Sequence, residues 1–352
     1  MDKFANTVLG SWNGTMLKKL CFFLFIVGIF SQARADVALL LEEPYGFFGS
    51  VNPTGHAAIY LPDVCADTPS HLRRCVPGEG GVVISRYFKI GEYDWLAIPL
   101  VPYLYAVDTL QEIPQSADEP FVVSLREQYR RTHLREVVPS DENGRPLNGD
   151  WVQLVGAAYL RNIYGFRIKT SQEQDDAFIE HFNYQRQNKV HFSLFLSNCA
   201  DFAREVLNFY EPHSIHRNFF ADAGITTPKQ VARSLAAYAH RHPELSLYSF
   251  QIPQVPGSIK RSKSPDSVAE ALLKSKKYLV PLVLLSPYTT CGIGVAYLTG
   301  RFNPRKNAEM FDVASAVQPR PAGYADSVVA DSKSANRITA STAAAPSVEE
   351  TR

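Results

Sequence analysis

The feature that most constrains this chain is the junction Ser197-Asn198-Cys199-Ala200-Asp201-Phe202-Ala203, where a helix begins with a cysteine in its first turn. Asn198 is suited to cap that helix, because its side-chain oxygen can accept a free backbone N–H. Phe202, Ala203, Val206, Leu207 and Tyr210 recur at helical spacing and mark an apolar face, with Cys199 at its start. A thiol in that position feels the positive end of the helix dipole, which favours the nucleophilic thiolate. The unpaired N–H groups of the first turn suit an oxyanion. A core must therefore be found for this helix, and a base for its cysteine.

The base candidate lies far upstream, in Gly55-His56-Ala57-Ala58-Ile59-Tyr60-Leu61, a short β-like run bounded by Pro53 and Pro62. Alternation puts His56, Ala58 and Tyr60 on one face and Ala57, Ile59 and Leu61 on the other. A histidine at the head of a strand, facing the start of a helix, is a Cys/His arrangement for nucleophilic catalysis.

The order is informative, since His56 precedes Cys199. A Gly-His strand followed much later by an Asn-Cys-x-x-Phe helix resembles the circularly permuted NlpC/P60 (papain-like) superfamily. That group includes lecithin:retinol acyltransferase-like proteins and bacterial envelope hydrolases. The resemblance rests on these two motifs and their order. It implies an α+β fold, a permuted papain-like antiparallel sheet packed against the helix that begins with the nucleophile. It also implies a third polar residue on the strand after the histidine strand. Ser85, within 82–88, holds that place, where the family usually has His, Asn or Gln. A serine can accept from an imidazole N–H but stabilises charge poorly, and His71 is the other option. Asn198, beside the nucleophile, and Tyr60, on the histidine's face, are the binding candidates. Chemistry of this kind calls for no cofactor and no metal.

At 352 residues, 45% hydrophobic and net charge +1, the chain can bury a substantial core and offers no bulk charge for nucleic acid. Residues 1–35 read as a secretory signal: Lys18 and Lys19, an apolar run over 20–30, then Ala33-Arg34-Ala35 as a small-x-small cleavage site. The expected address is therefore outside the cytoplasm, in a periplasm or cell envelope. Export makes a local disulfide between Cys65 and Cys75 the expectation, with two unpaired loop cysteines as the alternative. A zinc site would need more ligands than His71 supplies.

The remaining organisation is coarse. Runs at 37–41, 57–61, 80–88, 94–101 and 245–253 read as strands; 171–184 and 228–240 read as helices, and so does 151–164. Phe121 to His133 reads as strand then helix. The mature domain is expected over 36–256. A basic linker follows over 257–277, then an apolar segment over 278–298 that is long enough for a transmembrane helix but interrupted by Pro281 and Pro287. The tail over 311–352, rich in Ala, Ser and Pro, is expected to be disordered. Three functions compete: a thiol hydrolase cleaving an amide in an envelope peptide, an acyltransferase or lipid thiol-hydrolase with the same nucleophile, and a non-catalytic envelope protein with a degenerate site. The apolar segment, as a route to the membrane, favours the second.

Overall fold

The computed structural model describes residues 34–45, 53–91, 93–146, 150–186, 192–193, 195–218, 222, 224–299 and 301–317. The secretory-signal reading therefore lies outside the described residues except for Arg34 and Ala35, as do His191 and the tail beyond 317.

The described chain is α+β. Its strands are β1 (Arg34–Glu42), β2 (His56–Leu61), β3 (Val64–Thr68), β4 (His71–Arg74), β5 (Val82–Ser85), β6 (Leu96–Pro99), β7 (Ile163–Ser171), β8 (Tyr248–Ile252) and β9 (Glu309–Met310). Its helices are α1 (Leu100–Tyr105), α2 (Glu119–His133), α3 (Ala157–Leu160), α4 (Gln172–Gln185), α5 (Cys199–Tyr210), α6 (Pro228–Arg241), α7 (Val268–Lys274), α8 (Lys276–Leu285), α9 (Pro287–Thr299) and α10 (Val313–Val317). Seven strands form one sheet in the order β6-β5-β2-β1-β7-β8-β9. All neighbours are antiparallel except β8 and β9.

β1 sits centrally because both its faces are apolar, as a doubly covered strand requires. Val37, Leu39 and Leu41 join Ala57, Ile59 and Leu61 of β2 on one face, under Phe178 and Phe182 of α4, Phe202 and Val206 of α5, and Val231 and Leu235 of α6. Ala38 and Leu40 join Ala58 and Tyr60 on the other, under Tyr103 and Leu104 of α1 and Ala157 and Ala158 of α3. The α5 helix thus packs on the Ala57 face of β2, whereas His56 alternates to the opposite face.

Several sequence expectations change here. Residues 151–164 hold a single 3-10 turn at Trp151–Gln153 and the short α3, and Ile163 and Tyr164 already belong to β7. Gly165 explains this: a Cβ there would stand 2.0 Å from the Phe250 ring of β8, so the bare backbone makes room for a cross-strand aromatic. Phe121 to His133 is helical throughout, capped by Asp118. Cys65 and Cys75 are bonded, with their Cα atoms 4.8 Å apart, across the β3–β4 hairpin.

The stretch 257–277 is no free tether among its described residues. Ser262 Oγ donates to Glu43 Oε2, and Lys263 N donates to Pro44 O. Lys229 Nζ lies 2.6 Å from Glu270 Oε2 in a buried pair that anchors α7. The apolar segment folds as two short helices, α8 and α9, rather than one. Among the described residues no helix is long and apolar enough to cross a membrane. Residues 311–317 are packed rather than disordered, with Phe311 stacked 4.4 Å from Phe250.

Candidate active site

Cys199 is the first residue of α5, and the local sequence locks that end of the helix. Asn198 Oδ1 accepts from Ala200 N at 2.8 Å and Asp201 N at 2.9 Å, while its amide donates to Thr226 O at 3.1 Å. Asp201 completes a capping box by accepting from Asn198 N. The same buried carboxylate takes Thr226 Oγ1 at 2.6 Å and Arg217 Nη2 at 2.7 Å. The Asn-x-x-Asp spacing carried that box in the sequence. Asn198 therefore positions the thiol through the helix cap.

The sulfur stands at the head of β2 because of the strand register. Pairing of β2 with β5 ends at Ile59 and Ile84. Two residues further, Ala57 has no ladder partner on that side. Its carbonyl takes the Ser85 hydroxyl at 2.8 Å, and its N–H faces the Cys199 sulfur. Ser85 is thus spent on the backbone of Ala57 and not on the imidazole, because its donor finds an otherwise open carbonyl first.

His56 opens β2. Gly55, at φ +80°, turns the chain into it, and a Cβ there would lie 2.1 Å from Glu42 O. The imidazole is buried and stacks on Tyr87 at 5.5 Å and 27°. Its Nε2 has no hydrogen-bond partner, the Cys199 thiol included. Directly opposite in the β1–β2 ladder is Glu42. Glu42 accepts from the Tyr103 hydroxyl, and its Oε2 lies 2.9 Å from Arg161 Nη1, an ion pair too far off-line to count as a hydrogen bond. The Arg161 guanidinium in turn covers the Tyr45 ring at 4.6 Å.

Burial sets the charges. It holds the His56 imidazole well below its ordinary 6.5, with the Arg161 charge pushing the same way. It pushes the Cys199 thiol up to about 11, against the N–H groups of Ala57 and Ala200 and the Arg161 charge, all of which favour the thiolate. The sequence expectation of a thiol activated by the helix dipole is reversed: desolvation of the anion outweighs the dipole and the donors. Near neutral pH the pair is a thiol and a neutral imidazole, with no preformed ion pair.

Tyr60 lies four residues along β2, about 13 Å from His56 at strand rise. It is buried in the core with its hydroxyl on Gly80 O at 2.9 Å. His71 is half-exposed on β4 and pairs with Asp67 at 3.4 Å. Sequence reasoning missed Glu42, Tyr87, Tyr103 and Arg161. Only Glu42 left a trace there, as a carboxylate ending an apolar run before Pro44. Among the described residues, Cys65, Cys75 and Glu79 have ligand-like spacing for a metal ion. The two sulfurs are bonded to each other, and Glu79 is held by Arg73 at 2.7 Å.

No family model matches the chain, and no curated protein matches it. The crystal structure of a type VI secretion system effector, TseH, aligns with 62% of this chain and 93% of its own, at 12% identity and a TM-score of 0.31.

Proposed function

We propose that this protein is a thiol-dependent acyl-bond hydrolase of the permuted papain-like type, with Cys199 as nucleophile and His56 as base. The carrying observation is that Cys199 opens a doubly capped helix with its sulfur on the N–H of Ala57, the residue after His56 in β2, whose buried imidazole has an uncommitted Nε2. The chain order, histidine strand before cysteine helix, supports the permuted assignment. His56 Nε2 takes the thiol proton as sulfur attacks the carbonyl carbon, and backbone N–H groups at the start of α5 receive the oxyanion. The C–N or C–O bond then breaks, His56 returns the proton to the leaving group, and water hydrolyses the thioester. The thiol–imidazole contact forms only when substrate is bound, consistent with the loose geometry of resting catalytic pairs. Ser85 serves this site indirectly by holding Ala57.

The substrate we infer is an envelope peptide amide, and the Cys65–Cys75 bridge supports an oxidising, exported setting. A second reading, transfer or removal of an acyl chain, is favoured by the exposed apolar side chains of α8 and α9, among them Leu284 at 78% and Tyr288 at 90% exposure. Incubating the protein with envelope-peptide amides and with acyl-lipid esters, then mapping covalent adducts by mass spectrometry, separates the two. An acyl adduct on Cys199 in the wild type, which His56→Ala forms far more slowly, is expected. Turnover that survives Cys199→Ala would sink both readings.

A further inference from the structure

Arg161 follows α3 and enters the interior beside the site with 2% exposure. Its Nη1 faces Glu42, but Nε and Nη2 have no acceptor. Other buried arginines are spent. Arg126 gives Nε and Nη2 to Val155 O and Gly156 O at 2.9 and 3.0 Å. Arg130 gives its N–H groups to Glu127, Val138 O and Ser140 Oγ. A buried guanidinium with two idle donors is costly, and Arg161 stays charged. Nε and Nη2 form one edge of the guanidinium, two parallel N–H groups spaced for two oxygens of one anion. The same interior holds two more uncommitted groups, His56 Nε2 and the Tyr87 hydroxyl. Arg161 pairs with Glu42, which stands directly opposite His56 in the β1–β2 ladder, so the idle edge lies beside the strand that carries the imidazole and the Ala57 N–H.

We propose that Arg161 is the anion-recognition residue of this site: the substrate carries an oxyanion next to its scissile acyl bond, and two of its oxygens are received by Nε–H and Nη2–H. A carboxylate and a phosphate ester both present that pair of oxygens. This rests on Cys199 being the nucleophile.

The test compares alkylation of the full chain by iodoacetate and by iodoacetamide at one pH, read at Cys199 and at the exposed Cys291 as internal control. The expected iodoacetate-to-iodoacetamide rate ratio is roughly tenfold higher at Cys199 than at Cys291, because one reagent carries the charge that Arg161 attracts. Arg161→Gln should bring that ratio down to the Cys291 value. Glu42→Gln, which removes the competing carboxylate, should raise it. A packing defect would move both variants the same way. Should Arg161→Gln fail to fold, wild-type protection decides. Saturable slowing of iodoacetamide at Cys199, and not at Cys291, is expected from acetate if the group is a carboxylate and from inorganic phosphate if it is a phosphate. Equal ratios at the two cysteines with no protection by either anion would overturn the role of Arg161 while leaving a reactive Cys199 intact. A Cys199 inert to iodoacetamide removes the nucleophile reading and this inference together.

Discussion

Cys199 and His56 show how burial reverses a charge state that sequence context favours. A helix N-terminus draws a thiol pKa down by a modest amount, whereas removing an anion from water can move it by several units. The Cys199 alkylation rate with iodoacetamide should therefore keep rising with pH toward about 11. A plateau near neutral pH would show a preformed thiolate–imidazolium pair instead. His56 gives a stability prediction with a definite sign. Its folded pKa lies below the unfolded 6.5, so below that pH the unfolded chain binds a proton that the fold resists. This contribution leaves stability full above about 6.5 and reduces it as pH falls further. The difference in denaturation midpoint between wild type and His56→Gln should shift in favour of the variant on acidification below 6.5. A pH-independent difference would refute it.

At the scale of elements, the β2–β5 register builds the candidate site. Pairing stops at Ile59, so Ala57 is left with an open carbonyl and an open N–H, and Ser85 and Cys199 fill them. A ladder one step longer would leave the sulfur without that donor. The β7–β8 pair holds the other flank through Gly165, whose missing side chain admits Phe250, which in turn stacks on Phe311. Gly165→Ala should cost about 3 kcal/mol, since the ring must move out of a packed layer. Thermal melting measures it, and Gly165→Ala combined with Phe250→Leu should recover part of the loss. No recovery would mean that backbone strain, and not the ring, is the cause.

At the scale of the molecule, the C-terminal arm is tied to the strand that carries Glu42. The neighbouring Glu43, fully buried, accepts from Asn162 at 2.7 Å, Tyr164 at 2.9 Å, Ser262 at 2.5 Å and Arg305 at 3.1 Å. Ser262 and Arg305 bracket α7, α8 and α9, so both ends of the apolar hairpin are fixed to the domain. Val283, Leu284, Tyr288 and Leu298 nonetheless face water, the exposure that favours the acyl-lipid reading proposed above. Replacing residues 276–299 with a short Gly-Ser bridge should leave the melting temperature nearly unchanged and, if the acyl-lipid reading holds, remove binding to anionic lipid vesicles. Truncation after Ser275 also removes Arg305 and Phe311, and should lower it by several degrees. Vesicle binding that persists without the hairpin would rule out these helices as the contact.

The local parts were legible in the sequence because their determinants are local. Asn198 capping Cys199, the strand beginning at His56, the capping-box start of α4 at Ser171 and Pro228 opening α6 each follow from a few neighbouring residues. The Cys65–Cys75 bridge followed from loop context and the expected oxidising address. Pairings between distant residues were not legible. Gly165 reads as a helix end until Phe250 is seen across from it. Ser85 reads as a partner for His56 until the end of the β2–β5 ladder presents Ala57 O. Residues 257–277 read as a basic tether, because nothing local reveals Glu43 and Glu270 waiting as partners. Glu42, Tyr87, Tyr103 and Arg161 come from β1, the stretch after β5, α1 and the turn before β7, and only the assembled sheet and its packed helices bring them to the His56 end of β2. Charge states belong to the same class: a pKa depends on the dielectric and charges within a few ångströms, and tertiary packing alone decides what those neighbours are.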